Sequence, residues 1–208
     1  MMKKLSSMML AVAMVFSALF VPAQATLVSV SENPDDIQIS DIQVSDIMTF
    51  EEMVERYAQV GEISYEEALK AFPARGAFQL YGYDSYRTVS VSVDVSSIYR
   101  PTLEFYCQIS VGDGVWGITS IYSVQMNRMY NGMSKQFSGD VQVWLRGPLS
   151  IEYVVNGDFY QNGTTTSTGG ANLDLGIDDV ATVKFEASST VSSNHYKYCY
   201  QHATARFY

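Results

Sequence analysis

Histidine and cysteine are scarce in this chain, and their scarcity removes most familiar catalytic chemistry. The sequence holds two of each, His195 and His202 with Cys107 and Cys199. A serine nucleophile needs a histidine base within reach, often beside a Gly-x-Ser-x-Gly turn, and that motif is absent. The two histidines are an odd number of positions apart, so a strand would place them on opposite faces. The sequence therefore predicts neither a catalytic triad nor a histidine metal site.

Basic residues are also few, with 13 lysines and arginines against 22 acids and a formal net charge of −9. Nucleic acids and anionic membranes bind basic surfaces, so we expect neither as a partner. The charge is unevenly divided, since residues 26–75 hold eleven acids and three bases, whereas residues 76–208 hold eleven acids and eight bases. This asymmetry predicts two parts with different roles.

A long apolar run occurs only at the start of the chain. Residues 1–25 begin with two lysines, continue through an apolar stretch and end in an Ala-x-Ala site, which are the three parts of a secretory signal peptide. A transmembrane anchor is the alternative, but the run contains serines and is barely long enough to span. We expect cleavage after Ala25 and a secreted, extracellular protein with no integral membrane segment. The twin-lysine start favours a bacterial source.

The segment after the signal is predicted to be an acidic extended arm over residues 26–48, able to pair as an edge strand, followed by a helical hairpin over residues 49–75. Two capping boxes, each a hydroxyl residue followed three places later by glutamate, mark the helix starts at Thr49 and Ser64. Gly61 is placed to end the first helix in a left-handed turn. Because the hairpin is too small for its own core, it must dock on the rest, bind something else or be removed.

The junction at residues 73–76 coincides with the change in charge balance. We interpret it as a linker. The alternative is a processing site that releases the acidic segment as a pro-region.

Residues 89–95 alternate valine with serine or aspartate, which puts every valine on one face of a strand and predicts that the other face meets water. Two Asn-Gly pairs, at residues 131–132 and 156–157, predict tight turns. The fold class is therefore mainly β, an antiparallel β-sandwich of about eight strands over residues 76–208, preceded by the short helical hairpin. The predicted strands are 77–83, 86–96, 102–111, 115–125, 136–146, 149–156, 180–187 and 194–207.

The two cysteines, in an exported chain, predict a disulfide between Cys107 and Cys199. Two buried free thiols are the alternative, and a reactive thiol is a weaker one because neither cysteine has a marked basic surrounding. If Cys199 points into the core, Lys197 and Gln201 point there too unless a bulge intervenes. If the neighbouring tyrosines point inward instead, Cys199 faces out. We favour the first arrangement.

Oxygen-bearing side chains gather in one glycine-containing loop, at Asn172, Asp174, Asp178 and Asp179. They form a weak calcium candidate, because Ile177 stands where the EF-hand pattern requires glycine. A solvated turn is the favoured interpretation. We expect no cofactor, since the sequence shows no other motif for one.

Tyrosine is the most unusual component, with 13 of the 15 tyrosines in residues 76–208. Alternation along their strands predicts that Tyr106 and Trp144 face outward, where they could stack on sugar rings or anchor a protein. The alternative is that the helix pair or a second sheet covers them. The leading function is non-catalytic recognition of an extracellular glycan or protein through an aromatic face of the sandwich.

Three alternatives belong to other functional classes. A membrane-active toxin would insert residues 133–170 as a hairpin. An inhibitor or immunity-type protein would act through the threonine-rich loop at residues 162–170. A secreted hydrolase would need two carboxylates to meet in a cleft, and the candidates are Asp94, Glu104, Glu152 and Glu186.

Overall fold

The computed structural model describes residues 42–72, 85–161, 165–168 and 173–207. Within them the chain forms two α-helices and eleven strands. In chain order these are β1 Ile42–Val44, α1 Phe50–Gly61, α2 Tyr65–Leu69, β2 Ser85–Ser92, β3 Thr102–Gly112, β4 Val115–Asn127, β5 Met129–Tyr130, β6 Met133–Ser134, β7 Gln136–Gly147, β8 Ser150–Tyr160, β9 Thr165–Thr168, β10 Val180–Ala187 and β11 His195–Arg206. The predicted signal peptide, the junction at residues 73–76 and the predicted strand 77–83 lie outside the described residues.

The strands form two antiparallel sheets that face each other across one apolar core. The first sheet has the order β1-β2-β3-β4, and the second has the order β11-β8-β7-β10-β9. A small hairpin of β5 and β6 joins them in sequence. Buried side chains from both sheets make one continuous cluster, which includes Val91, Phe105, Ile121, Val143, Tyr153 and Phe159. The predicted fold class, an antiparallel β-sandwich preceded by a short helical pair, is confirmed.

The valine strand that opens the sandwich is buried on its core side and partly covered on the other side. The four valines of residues 89–95 are at most 1% exposed and line the core, as predicted. On the opposite face Thr88 and Ser90 are buried, at 1% and 5% exposure, whereas Asp94 is exposed. The prediction that this face meets water therefore holds at Asp94 and is wrong at Ser90. The cause is a tertiary contact, since α1 packs against β2. The side chains of Thr88 and Ser90 are small, so the helix can approach the strand closely.

The two helices begin where the capping boxes predict. Thr49 Oγ1 accepts from the amide of Glu52 at 3.2 Å, and the Glu52 carboxylate accepts from the Thr49 amide at 2.7 Å. At α2 the Ser64 hydroxyl accepts from the amide of Glu67 at 3.2 Å. These bonds satisfy amides that a helix start leaves without an intrahelical partner, so the local sequence defines both starts.

The end of α1 shows a different use of glycine from the one predicted. The helix does end at Gly61, but the left-handed residue is Glu62, at φ 54°. A β-carbon on Gly61 would stand 2.5 Å from the side-chain amide of Gln125 on β4. Glycine is needed there because the helix end lies directly against the first sheet.

The first Asn-Gly pair, residues 131–132, forms the predicted turn between β5 and β6, with φ of 48° and 74°. The second, residues 156–157, lies inside β8, so its prediction as a turn is wrong. Gly157 pairs with Gly139 on β7, and the Phe137 ring packs across this gap. A β-carbon on Gly157 would stand 2.8 Å from that ring. The backbone of Gly139 would be closer still, at 2.7 Å, so the glycine makes room for both the neighbouring strand and the aromatic ring.

Both cysteines lie in the core as free thiols, so the predicted disulfide between Cys107 and Cys199 is not formed. Burial raises the pKa of both thiols, and it raises that of Cys199 to about 11. A thiol with a raised pKa is protonated at neutral pH and is a poor nucleophile. The arrangement matches the alternative of two buried free thiols.

The last strand has the arrangement that we favoured, with Cys199 and Gln201 pointing inward. Lys197 lies on the same side of the strand as Cys199, because the register shift comes before both, between His195 and Lys197, but it is exposed. Tyr198 therefore projects from the outer side of the sheet, together with the residues at every second position after it.

Gln201 is a buried polar side chain whose hydrogen bonds link the two sheets. Its Oε1 accepts from the amide of Asp94 at 2.8 Å, and its Nε2 donates to Ser92 O and to Tyr153 Oη, each at 3.1 Å. Buried amides are tolerated when both ends are paired in this way. These hydrogen bonds connect β11 with Ser92 at the end of β2 and with Asp94 just after it.

Candidate binding face of the second sheet

The outer face of the first sheet is covered by the helical pair. An aromatic cluster fills this interface, made of Phe50, Tyr57, Phe72, Tyr86 and Tyr106. Tyr106 is 0% exposed, and its ring centroid lies 5.0 Å from that of Tyr57 and 5.9 Å from that of Phe72. Tyr106 faces outward from its sheet, as predicted, but the helices cover it and leave it no exposed surface for a ligand.

A carboxylate lies beside Tyr106 under the same helices. Glu104 is 2% exposed, and its Oε2 accepts from Arg56 Nε at 3.2 Å and from Tyr106 Oη at 3.1 Å. Its Oε1 accepts from Asn127 Nδ2 at 3.3 Å. Burial raises the pKa of Tyr106, and the charge of Glu104 adds to the effect. This cluster is saturated by internal bonds, which is the mark of a structural interface.

The outer face of the second sheet, in contrast, presents its side chains to solvent. Among the described residues, the exposed outward side chains are Asp140, Gln142, Arg146, Asn156, Val180, Thr182, Lys184, Glu186, Tyr198, Tyr200, His202 and Arg206. Half-buried ones lie between them, namely Ser138, Trp144, Glu152, Val154, Asp158 and Thr204. We call this surface the open face.

Strand register arranges the open face in rows that cross the sheet. One row is Thr204, Glu152, Trp144 and Val180; the next is His202, Val154, Gln142 and Thr182; the third is Tyr200, Asn156, Asp140 and Lys184. Successive rows are about 7 Å apart, because outward side chains recur every second residue along a strand. Regular pairing of four strands makes this a rigid support for side chains.

Two tyrosines stand side by side at the edge of the open face. Tyr198 is 53% exposed and Tyr200 is 61% exposed, at consecutive outward positions of the edge strand β11. Tyr198 Oη donates to Asn156 Oδ1 at 2.8 Å, which holds its ring in place. The Tyr200 hydroxyl has no hydrogen-bond partner among the described residues. The pair exposes aromatic surface next to polar groups that remain accessible.

Several charged groups of the open face are paired with one another. Glu152 accepts from Arg146 Nε at 2.7 Å and from His202 Nε2 at 2.8 Å. The hydrogen bond from Arg146 and then that from His202 lower the pKa of Glu152. The other histidine, His195, lies 2.8 Å from a carboxylate oxygen of Asp158. The open face thus carries charge without a strong field of one sign.

Trp144, the second predicted binding residue, lies on the open face but is half-buried. The Arg146 guanidinium carbon is 5.4 Å from its ring centroid. Trp144 and Tyr106 are on different sheets, so they do not form one platform.

The exposed Tyr198 and Tyr200 were missed as candidates by sequence reasoning. The signal was present in the alternation of tyrosine with a cysteine that was expected to point inward.

The calcium candidates are turn residues in the structure. Asn172 lies outside the described residues, and Asp174 and Asp178 have φ of 41° and 67°. The carboxylate of Asp179 accepts from the amide of Gly176 at 3.1 Å. In the part of the chain that the structure describes, no group of three or more histidines, cysteines and acids could hold a metal ion.

The four carboxylates considered for paired acid catalysis are dispersed. Glu104 is buried under the helices, whereas Glu152 lies on the open face. Asp94 follows β2 and pairs with Arg100 at 2.5 Å. Glu186 is six positions along β10 from the row of Glu152, a distance of about 20 Å. These positions do not assemble a catalytic pair.

The segments proposed for a toxin or an inhibitor are integrated into the second sheet. Residues 133–170 include β7 and β8, which are the inner strands between β10 and β11. Removing them as a hairpin would break the pairing on both flanks. Of the loop at residues 162–170, the structure describes β9, which pairs with β10.

Comparison of the chain with protein-family models, with curated proteins and with solved structures gave no match. Within the described residues, no helix has the length and apolar character needed to cross a membrane. The geometry of the open face is therefore the basis for inferring a function.

Proposed function

We propose that this protein is a secreted, non-catalytic recognition protein that binds an extracellular glycan through the open face of its second sheet. The observation that carries the proposal is the pair of solvent-exposed tyrosines, Tyr198 and Tyr200, on a rigid edge strand. The signal peptide predicted from the sequence agrees with an extracellular partner.

Exposed tyrosines on a regular strand are well suited to sugars. An aromatic ring offers a flat apolar surface to the C–H face of a sugar ring, and its hydroxyl stays in water or bonds to the ligand. Amide and hydroxyl groups lie further across the open face. Asn156 is in the row of Tyr200, and Gln142 and Thr182 are in the row of His202. Sugar hydroxyl groups need such donors and acceptors when they leave water.

A glycan fits the open face better than a protein partner does. Protein hot spots cluster near the centre of an interface, where surrounding contacts exclude water. Here the two exposed tyrosines lie on the edge strand, and their neighbours Asn156 and His202 are polar and exposed. A polar surface with exposed rings suits a ligand that itself carries many hydroxyl groups.

A glycan array with the secreted protein tests the proposal. We expect binding to at least one glycan, and a loss of about tenfold or more in affinity on Tyr200→Ala. Tyr65→Ala is the matched control, because Tyr65 is also exposed, at 39%, but lies on α2. Binding that persists unchanged in Tyr200→Ala would contradict the proposal. If the open face bound a protein and no glycan, the ligand would be a protein and the proposal of a glycan would be wrong.

A further inference from the structure

The charges around the two tyrosines are balanced locally. Within reach of Tyr198 and Tyr200, Asp158 is bonded to His195, and Glu152 is bonded to both Arg146 and His202. Across the row of Tyr200, Asp140 and Lys184 occupy facing register positions. An anionic ligand would have to compete with these carboxylates for the cations, and a cationic ligand would meet the converse problem.

The whole-chain charge points the same way. With a net charge of −9, the protein repels polyanions at long range. A polyanionic ligand would need a concentrated basic patch to overcome this repulsion. The described part of the open face holds no cluster of cations apart from those beside a carboxylate.

The direction of β11 sets the direction of a bound chain. Tyr198, Tyr200, His202 and Thr204 follow one another along the outer side of this strand, about 7 Å apart. Among the described strands β11 is an edge of its sheet, so a ligand lying along it meets none of them on one side. Aromatic surface occurs at two consecutive positions, so two neighbouring rings of a chain can stack at once.

We infer that the ligand is an uncharged, linear polysaccharide whose chain lies along β11, with neighbouring sugar rings on Tyr198 and Tyr200. This inference rests on the proposed function and specifies its ligand class. Tyr198 is the pre-positioned ring, because its hydroxyl is bonded to Asn156. Tyr200 keeps its hydroxyl for the ligand.

Two consequences separate this arrangement from other kinds of glycan binding. Affinity should rise with the length of the oligosaccharide, since a single sugar covers only one tyrosine. Affinity should also be nearly independent of salt, because no ion pair with the ligand is screened. A charged polysaccharide would show the opposite dependence on salt.

Isothermal titration calorimetry on the secreted protein tests the inference. The probes are soluble neutral polysaccharides (a β-glucan, a xylan, a galactomannan and an α-glucan), with polygalacturonate as the charged comparison. For the best neutral polymer, its carboxymethylated derivative and a ladder of its oligosaccharides are added. We expect tighter binding of the neutral forms, an affinity that rises and then levels off along the ladder, and less than about a twofold change between about 0.05 M and about 0.5 M salt.

Variants locate the binding to the two tyrosines. Tyr198→Ala and Tyr200→Ala should each weaken binding of the neutral polymer about tenfold, with the melting temperature unchanged. Tyr65→Ala should bind as the unmodified protein does. A tenfold loss in Tyr65→Ala as well would contradict the assignment of the site.

The outcomes distinguish the inference from the proposed function. Preference for polygalacturonate with steep salt dependence would overturn the uncharged ligand and leave glycan recognition intact. Equal affinity for the single sugar and the long oligosaccharide would overturn the chain along β11. Failure to bind any of these polysaccharides, together with a negative glycan array, would overturn both.

Discussion

The two outer faces of the sandwich carry similar side chains and meet opposite environments. Tyr106 on the first sheet is 0% exposed under the helices, whereas Tyr200 on the second sheet is 61% exposed. An arginine–glutamate ion pair occurs at each face. The comparison teaches that residue type alone does not define a binding face. What decides is whether another element of the chain packs on it.

The covered face is built for close approach. Thr88, Ser90 and Ser123 present small side chains toward α1, and Gly61 brings the helix end against Gln125. In the orientation that satisfies both of its ends, the Gln125 side chain donates to a helix carbonyl and accepts from the Gly61 amide at 3.1 Å. The open face instead carries long polar side chains that bond to one another, which is stable in water.

The largest expected difference between the faces is in stability. Tyr106→Ala leaves a cavity under α1 and removes a donor from Glu104, so we expect a loss of about 3–5 kcal/mol in the free energy of unfolding. Tyr200→Ala removes an exposed ring and should change it by less than about 0.5 kcal/mol. Urea denaturation measures both. Equal losses would show that the two faces do not differ as described.

The ion pairs provide a second, smaller comparison. Arg56→Ala leaves the buried Glu104 without its cation, and we expect a loss of about 1–2 kcal/mol because Arg56 itself is partly exposed. Arg146→Ala breaks a pair of similar length on the open face, where the loss should stay below about 1 kcal/mol. A larger loss in the free energy of unfolding for Arg146→Ala than for Arg56→Ala would contradict the expected difference between the two faces.

The capping box at the start of α1 tests whether helix stability supports the cover. Thr49→Ala should cost about 1 kcal/mol, because the amide of Glu52 loses its acceptor. Thr49→Ser keeps the hydroxyl and should restore most of the stability. Limited proteolysis should detect faster cleavage in α1 for the alanine variant alone. Identical cleavage of the two variants would argue that the cap does not hold the helix.

The smallest predicted effect is a pH dependence on the open face. The pKa of Glu152 is lowered by Arg146 and then by His202, so ionised Glu152 stabilises the fold above the ordinary glutamate pKa of about 4.3. That contribution is lost as the pH falls through the lowered pKa. Glu152→Gln should therefore be less stable than the unmodified protein near neutral pH and equal to it in strong acid. A difference that stays constant with pH would contradict the assignment.

Sequence patterns predicted the features that depend on neighbouring residues along the chain. Alternation identified the core side of residues 89–95, and the cap at Thr49 located a helix start, because both are local effects. The patterns failed where the outcome depends on what lies opposite. The turn expected at residues 156–157 became a strand because Gly157 faces Gly139 across the sheet.

The candidate site was only partly predictable for the same reason. Trp144 was placed correctly on an outer face, but Tyr106 is covered by helices whose docking no local pattern reveals. Tyr198 and Tyr200 were missed although the favoured inward direction of Cys199 places both tyrosines on the opposite side of the strand. Their exposure depends on whether another element packs on that side of the sheet, which alternation does not reveal.

Backbone amide chemical shifts of the labelled protein, recorded with and without a saturating neutral oligosaccharide, test the central claim most directly. We expect shifts to change along β11 and β8, centred on Tyr198, Tyr200 and Asn156. The amide chemical shifts of α1, α2 and the strand that contains Tyr106 should not change. Changes centred on the helices or on Tyr106, with β11 unaffected, would contradict the assignment of the open face as the binding face.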